Sequence, residues 1–248
     1  MISEAIDRYL RRTGAAEFSP RAALIDMDGT LLDTMSRHTL AWHRMMTELG
    51  VKCRRDEFYL YEGMTGPATI DKLFMREFGR HSTKEEATEL YARKTRYFSE
   101  LPRAETVAGA QRVIRMLMEH GITRVLVTGS AQPSNLERLD GDFPGGFPHD
   151  LRVTALNVTH GKPHPEPYLK ALEMARVEPW ESIVIENAPL GVEAGARAGA
   201  FTVAVTTGPI PEDELWRAGA DLVLPSMEAL ADNLDELLRG SRKRGLMV

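Results

Sequence analysis

The stretch AALIDMDGTLLDT, Ala22–Thr34, decides the fold. Its opening apolar run reads as a strand buried on both faces, and the strand ends at Asp26, with Asp28 and Asp33 close behind. Carboxylates gathered in one place repel one another and are costly to desolvate. In open parallel sheets, however, the carboxyl ends of strands are where loops converge and ligands bind. Gly29 lets the chain turn sharply beside the acids.

Outward from this strand the pattern divides in three. Residues 2–13 form an amphipathic helical pattern stopped by Gly14, with a loop to Pro20. From Thr34 to about Glu105 the pattern is helical, in TLAWHRMMTEL, ATIDKLFMREF and EEATELYARKTRYF, broken by GMTGPA. From Val107 onward AQRVIRMLMEHG reads as a helix, and TRVLVTG, LRVTALNV, SIVIEN, FTVAVTT and ADLVLP read as strands, most of them separated by helices. That alternation predicts an α/β fold, a Rossmann-like parallel sheet with helices on both faces. The expected plan is an N-terminal helical extension (1–20), a sheet core (21–34 and 106–248) and an inserted helical cap (35–105).

A chain of 248 residues can bury a sizeable core, and its 27% charged residues are ordinary for a soluble globular protein. The net charge of −5 argues against a nucleic-acid binder, which needs a basic face. The one concentrated basic run, RGSRKRG near the C-terminus, reads as a solvated tail. A single cysteine, Cys53, rules out an intrachain disulfide and suits a reducing compartment. MISEAIDRYLRRTG lacks the apolar segment of a signal peptide, and no stretch approaches the length of a membrane span. The expectation is a cytoplasmic monomer with neither nucleic-acid nor membrane partner.

Four loops carry polar groups to the strand ends: DMDGT, VTGS (127–130), HGKPHPEP (160–167) and IENAPLG (185–191). In this order they resemble the four motifs of the haloacid dehalogenase superfamily, over most of the chain from about residue 22, and the insert resembles the cap of its β-phosphoglucomutase-like subfamily. The resemblance implies a nucleophile at Asp26, which forms an aspartyl phosphate, and an acid–base residue at Asp28. Proton delivery serves an alkoxide or phosphate leaving group and is pointless for halide. It further implies that Thr128, Gly129 and Ser130 hold phosphoryl oxygens and that Lys162 neutralises charge. The cofactor implied is Mg2+, held through Asp26, the Asp28 carbonyl and Asn187, with Glu186 or a cap carboxylate making up for the amide. Most relatives have an acidic pair where this chain has Glu186–Asn187. Without the resemblance, Asp26 and Asp28 would be turn caps, VTGS a helix cap and Lys162 a loop lysine.

The cap bears on the small phosphorylated substrate. In YLYEGMTGPATI, Glu62 stands where β-phosphoglucomutases have a lysine, and Gly66 where they have an arginine that grips a distal phosphate. Loss of that fork weakens a mutase reading. YEGMTG, GKPHPEPYLKAL and VIENAPLGVEAGARAGAFTVAVTTGP resemble instead the bacterial inorganic pyrophosphatases of the superfamily, which implies Glu62 as an added metal ligand on cap closure. His38 and Lys94 are further cap candidates, each equally readable as an ordinary helix residue, and Trp42 reads as core. Against the hydrolase stand a sugar phosphate mutase and a non-catalytic phospholigand-binding protein. A P-loop enzyme lacks its GxxxxGK[ST] motif, and nothing supports a Schiff-base role for Lys52 or Lys94.

Overall fold

The computed structural model describes residues 1–130 and 133–242, without the side chains of 133–135 and 241–242. The elements run in chain order as α1 (Ile2–Thr13), β1 (Glu17–Phe18), β2 (Ala22–Ile25), α2 (Met35–Glu48), α3 (Gly66–Phe78), α4 (Lys84–Ser99), α5 (Ala110–Glu119) and β3 (Thr123–Val127). They continue as α6 (Pro133–Asp142), β4 (Arg152–Val153), α7 (Glu166–Ala175), β5 (Ser182–Glu186), α8 (Pro189–Arg197), β6 (Phe201–Val205), α9 (Glu212–Arg217), β7 (Leu222–Leu224), α10 (Met227–Leu238) and β8 (Ser241–Arg242).

Six strands form a parallel sheet in the order β4-β3-β2-β5-β6-β7. β2 lies in its middle, which is why all four of its residues are apolar and buried. Successive side chains on a strand point to opposite faces. Ala23 and Ile25 accordingly pack with α1, α5 and α10, whereas Ala22 and Leu24 pack with α7 and α8. The sequence carries each strand to a polar loop at its carboxyl end, so Asp26, Thr128 and Asn187 arrive side by side at one edge of the sheet.

The insert between β2 and α5 is helical throughout, as its periodicity predicts, with its own apolar cluster around Trp42, Met45, Phe58, Leu73 and Phe98. Thr65 and Thr83 cap α3 and α4, and Thr83 completes a capping box with Glu86. The GMTGPA break becomes the loop that follows a 3-10 turn at Asp56–Tyr61 and, from Gly66, the first turn of α3.

Two expectations change. LRVTALNV is strand only at Arg152–Val153, because the Asn157 side chain turns the chain by accepting the Thr154 N–H (2.8 Å). The loop expected between Gly14 and Pro20 holds the short strand β1, while the helix before it packs on the core: Tyr9 sits edge-on against Phe18 and Phe201, and Arg12 pairs with the buried Asp221 at 2.9 Å. Of the basic run, Ser241–Arg242 pairs with β1, and residues 243–248 lie outside the described residues. No described helix is long and apolar enough to cross a membrane.

Candidate active site

Asp26 follows β2 without a break, its N–H donating to the Ile185 carbonyl (3.0 Å) so that the ladder fixes its backbone. The Met27 carbonyl then accepts the N–H groups of both Leu31 and Leu32, and Gly29, at φ +86°, makes the tight turn directly after Asp28.

Lys162 reaches in from the loop before α7. Its Nζ donates to Asp26 Oδ1 (2.6 Å), Glu186 Oε1 (2.6 Å) and the Val127 carbonyl (3.1 Å), which uses all three ammonium hydrogens. All three side chains are buried. Burial alone would lower the Lys162 pKa, but Asp26 and Glu186 outweigh it and hold the ammonium charged. Burial, reinforced by the charge of Glu186 against the pull of Lys162, pushes Asp26 up to about 8. Asp26 Oδ2 is buried with no hydrogen-bond partner.

Glu186, one of the residues expected at the metal, is engaged by four donors in this structure. Oε1 accepts from Lys162 and from the Tyr168 hydroxyl (2.8 Å), and Oε2 from the N–H groups of Asn187 (3.0 Å) and Ala188 (3.3 Å). Its acceptor positions are filled, and it serves as counterion to Lys162. Gly191 makes room for it, since a Cβ there would fall 1.8 Å from Oε1.

Asp28 is held from the cap side. Its Oδ1 accepts the Thr34 hydroxyl (2.5 Å) and lies 3.1 Å from His38 Nε2. Thr34 precedes α2, and its hydroxyl goes to Asp28 rather than to the helix amides. Lys94, buried under Trp42 and Phe98, places Nζ 2.6 Å from His38 Nδ1. When Lys94 is protonated it can only donate, so Nδ1 then accepts and Nε2 carries the proton facing Asp28. Burial pushes Asp28 up, but His38, Thr34 and Lys94 together outweigh it and hold the carboxyl below its usual range. Burial brings Lys94 down to about 7, only partly opposed by Asp28. His38 is lowered as well, by burial and by Lys94.

The remaining expected residues gather at the same place. The Thr128 hydroxyl accepts the Ser130 N–H (3.0 Å), and Gly129 and Ser130 line a cavity of about 60 Å³ with Asp26, Asp28, His38 and Lys94. Glu62 projects into it from the cap. Its Oε1 accepts from Asn187 Nδ2 (3.0 Å), and burial, with Asp26 next in weight, raises its pKa well above normal.

Two participants lie outside the expected set. In the sequence Thr34 reads only as a helix start, and Tyr168 as part of an apolar helix face; its place just after the lysine loop is the one hint of more. Among the described residues a separate grouping, His160, His164 and Glu166, has the spacing of a metal site. Its carboxylate is already committed to the N–H groups of Thr159 and His160 (both 2.8 Å), as a cap for the lysine loop.

A model of the haloacid dehalogenase-like hydrolases matches residues 20–199. The validoxylamine A 7'-phosphate phosphatase of Streptomyces hygroscopicus subsp. limoneus is 30% identical over 208 residues, 84% of this chain and 94% of its own. The β-phosphoglucomutase of Bacillus subtilis is 30% identical over 216 residues, 82% of this chain and 92% of its own. A solved structure of a candidate β-phosphoglucomutase from Bacteroides vulgatus superposes with a TM-score of 0.92 at 43% identity, covering 96% and 97% of the two chains.

Proposed function

The chain belongs to the haloacid dehalogenase-like hydrolases, and from that premise we propose that it is a Mg2+-dependent phosphohydrolase whose leading substrate is inorganic pyrophosphate. Asp26 attacks phosphorus, forming the Asp26–phosphorus bond as the bond to the leaving oxygen breaks. Asp28 then takes a proton from water, whose oxygen displaces Asp26 and releases phosphate. Lys162 stays charged throughout and offsets the negative charge on Asp26 and on the phosphoryl group.

The residues suit a dication. Asp26 Oδ2 is a buried carboxylate oxygen without a partner, Asp26 lines one cavity with Asp28 and Glu62, and Asn187 is hydrogen-bonded to Glu62, so hard oxygen donors are gathered here. Asp26, the Asp28 carbonyl, Asn187 and the cap's Glu62 would hold Mg2+. When bound, Mg2+ would lower the cost of bringing a phosphoryl anion to this acidic place.

One observation carries the choice of substrate: the cap sends a carboxylate, Glu62, into the cavity where a binder of a second sugar phosphate needs a cation. Two further points favour a small anhydride. The Tyr91 ring covers Gly66, so that even a Cβ there would fall 2.1 Å from it. Asp28 is also held ionised, which suits a phosphate leaving group, ionising at about pH 6, better than a sugar alkoxide that must be fully protonated. The test is phosphate release from pyrophosphate against a panel of sugar phosphates, with and without Mg2+. We expect Mg2+-dependent preference for pyrophosphate. Preference for a sugar phosphate overturns the substrate, and turnover without divalent cation overturns the cofactor.

A further inference from the structure

The cap loop Glu62–Thr65 sits on the core where the core has no side chains to resist it. A Cβ on Gly129 would lie 2.7 Å from the Gly63 carbonyl oxygen, and one on Gly161 would lie 2.8 Å from Thr65 Cγ2. A Cβ on Gly29 would strike Asn187 Nδ2 at 2.1 Å and Glu62 Oε1 at 2.9 Å. Three glycines from three strand-end loops therefore form one seat, and the Asn187–Glu62 hydrogen bond crosses its centre, fully buried.

That bond has a built direction. The Thr30 hydroxyl donates to Asn187 Oδ1 (3.2 Å), which turns the amide so that Nδ2 faces the cap. An amide offers an acceptor and a donor in one group, so it can donate to Glu62 without a shared proton, whereas a carboxylate at 187 could bond to Glu62 only by sharing one. Glu62 lines both the 60 Å³ cavity and a second, of about 100 Å³, which Asn187 lines with Gly29, Asp33 and Thr207.

We infer that Asn187 is a positioning residue that latches the cap: its Nδ2 fixes Glu62 over Gly29, so that seating the loop and delivering the cap carboxylate are one event. This holds whichever phosphorylated compound is hydrolysed, and it needs no metal, because the donor and the acceptor are both protein groups. It also gives a physical reason for an amide in a position next to Glu186 where a second acid would weaken closure.

The test reads closure directly. Spin labels at Glu85→Cys on the cap and Asp213→Cys on the core, both exposed, in a Cys53→Ser background, report the cap–core distance by pulsed electron resonance. Measurements are made without substrate at pH 7, in Mg2+ and again in chelator. Asn187→Ala and Glu62→Ala are each expected to lower the closed-to-open ratio about tenfold. Asn187→Ala should add nothing once Glu62 is gone, and this coupling should persist in chelator. The exchange Glu62→Gln with Asn187→Asp, which swaps donor and acceptor, should restore the closed distance. An unchanged distance distribution in Asn187→Ala, additive effects of the two single changes, or coupling that vanishes in chelator each overturns the latch. If Asn187→Ala does not fold, the exchanged pair set against Glu62→Ala decides: no better closure in the pair overturns it. No outcome depends on turnover, so failure of the latch and failure of pyrophosphate as substrate are told apart.

Discussion

The core half of the site is more deeply buried than the cap half, and the two carry charge differently. In the core half, the Lys162 ammonium and the Glu186 carboxylate have every position filled, and Asp26 Oδ2 alone is left open. In the cap half, His38, Lys94 and Glu62 are all pushed toward their neutral forms by burial. The Lys162 ammonium, with all three of its hydrogens engaged, stays charged, whereas Asp26, at about 8, and the cap groups pushed toward neutrality can exchange protons. In the reaction we propose, the core half holds phosphorus, and the cap half governs the proton and the closing of the site.

The sharpest way to break this comparison is Asp26→Asn. The amide keeps the shape and leaves Lys162 paired with Glu186, so the fold should survive while the bond to phosphorus cannot form. Phosphate release should fall by about 10⁴-fold or more, with the thermal unfolding midpoint little changed. Activity within tenfold of the parent chain would move the nucleophile elsewhere.

Lys94→Met probes the other half and should act on rate and stability in opposite senses. Without the ammonium at Nδ1, His38 is free to change tautomer, and Asp28 loses its fixed donor. Turnover should fall by roughly ten- to a hundredfold. The sign for stability follows from the depressed pKa. Between about pH 7 and 10.5 the unfolded chain binds a proton at Lys94 that the folded chain does not, so stability rises with pH across that window. Urea unfolding should show the parent chain gaining up to about 5 kcal/mol relative to Lys94→Met from pH 7 to 10.5. Parallel curves for the two proteins would mean that Lys94 is charged in the fold at neutral pH.

The same division governs what can be read from the sequence. β2, the acids behind it and the proline-rich lysine loop are local patterns: a buried strand announces itself by an unbroken apolar run, and catalytic carboxylates by following it. The cap helices are legible from their period and caps. Partnerships across the chain are not. Glu62 meets Asn187 from 125 positions away, and although the motif itself shows an amide in place of an acid, no local pattern shows that this amide faces the cap. Glu186 is expected near the metal because its type allows it, and only the count of its partners shows that it is already engaged. LRVTALNV has the composition of a long strand, but one asparagine side chain at 157 ends it early.

Tyr168→Phe should give the smallest effect and refines the comparison most finely. The hydroxyl is one of two donors on Glu186 Oε1, and its burial, followed by the charges of Glu186 and Asp26, holds it neutral far above its usual pKa. Removing one oxygen leaves the ring under Lys162, with Nζ 5.2 Å from its centre, so packing is kept and one buried hydrogen bond to a charge is lost. The expected cost in stability is about 1.5–3 kcal/mol. Glu186, now short of a donor, should draw Lys162 toward itself and away from Asp26. The two-fold to ten-fold loss should therefore appear in turnover more than in substrate affinity, since Asp26 is the atom source of the bond being made. If Tyr168→Phe instead raises KM at unchanged turnover, Glu186 and Lys162 act on the bound substrate and not on the nucleophile, and the core half would be a binding device rather than a charge holder.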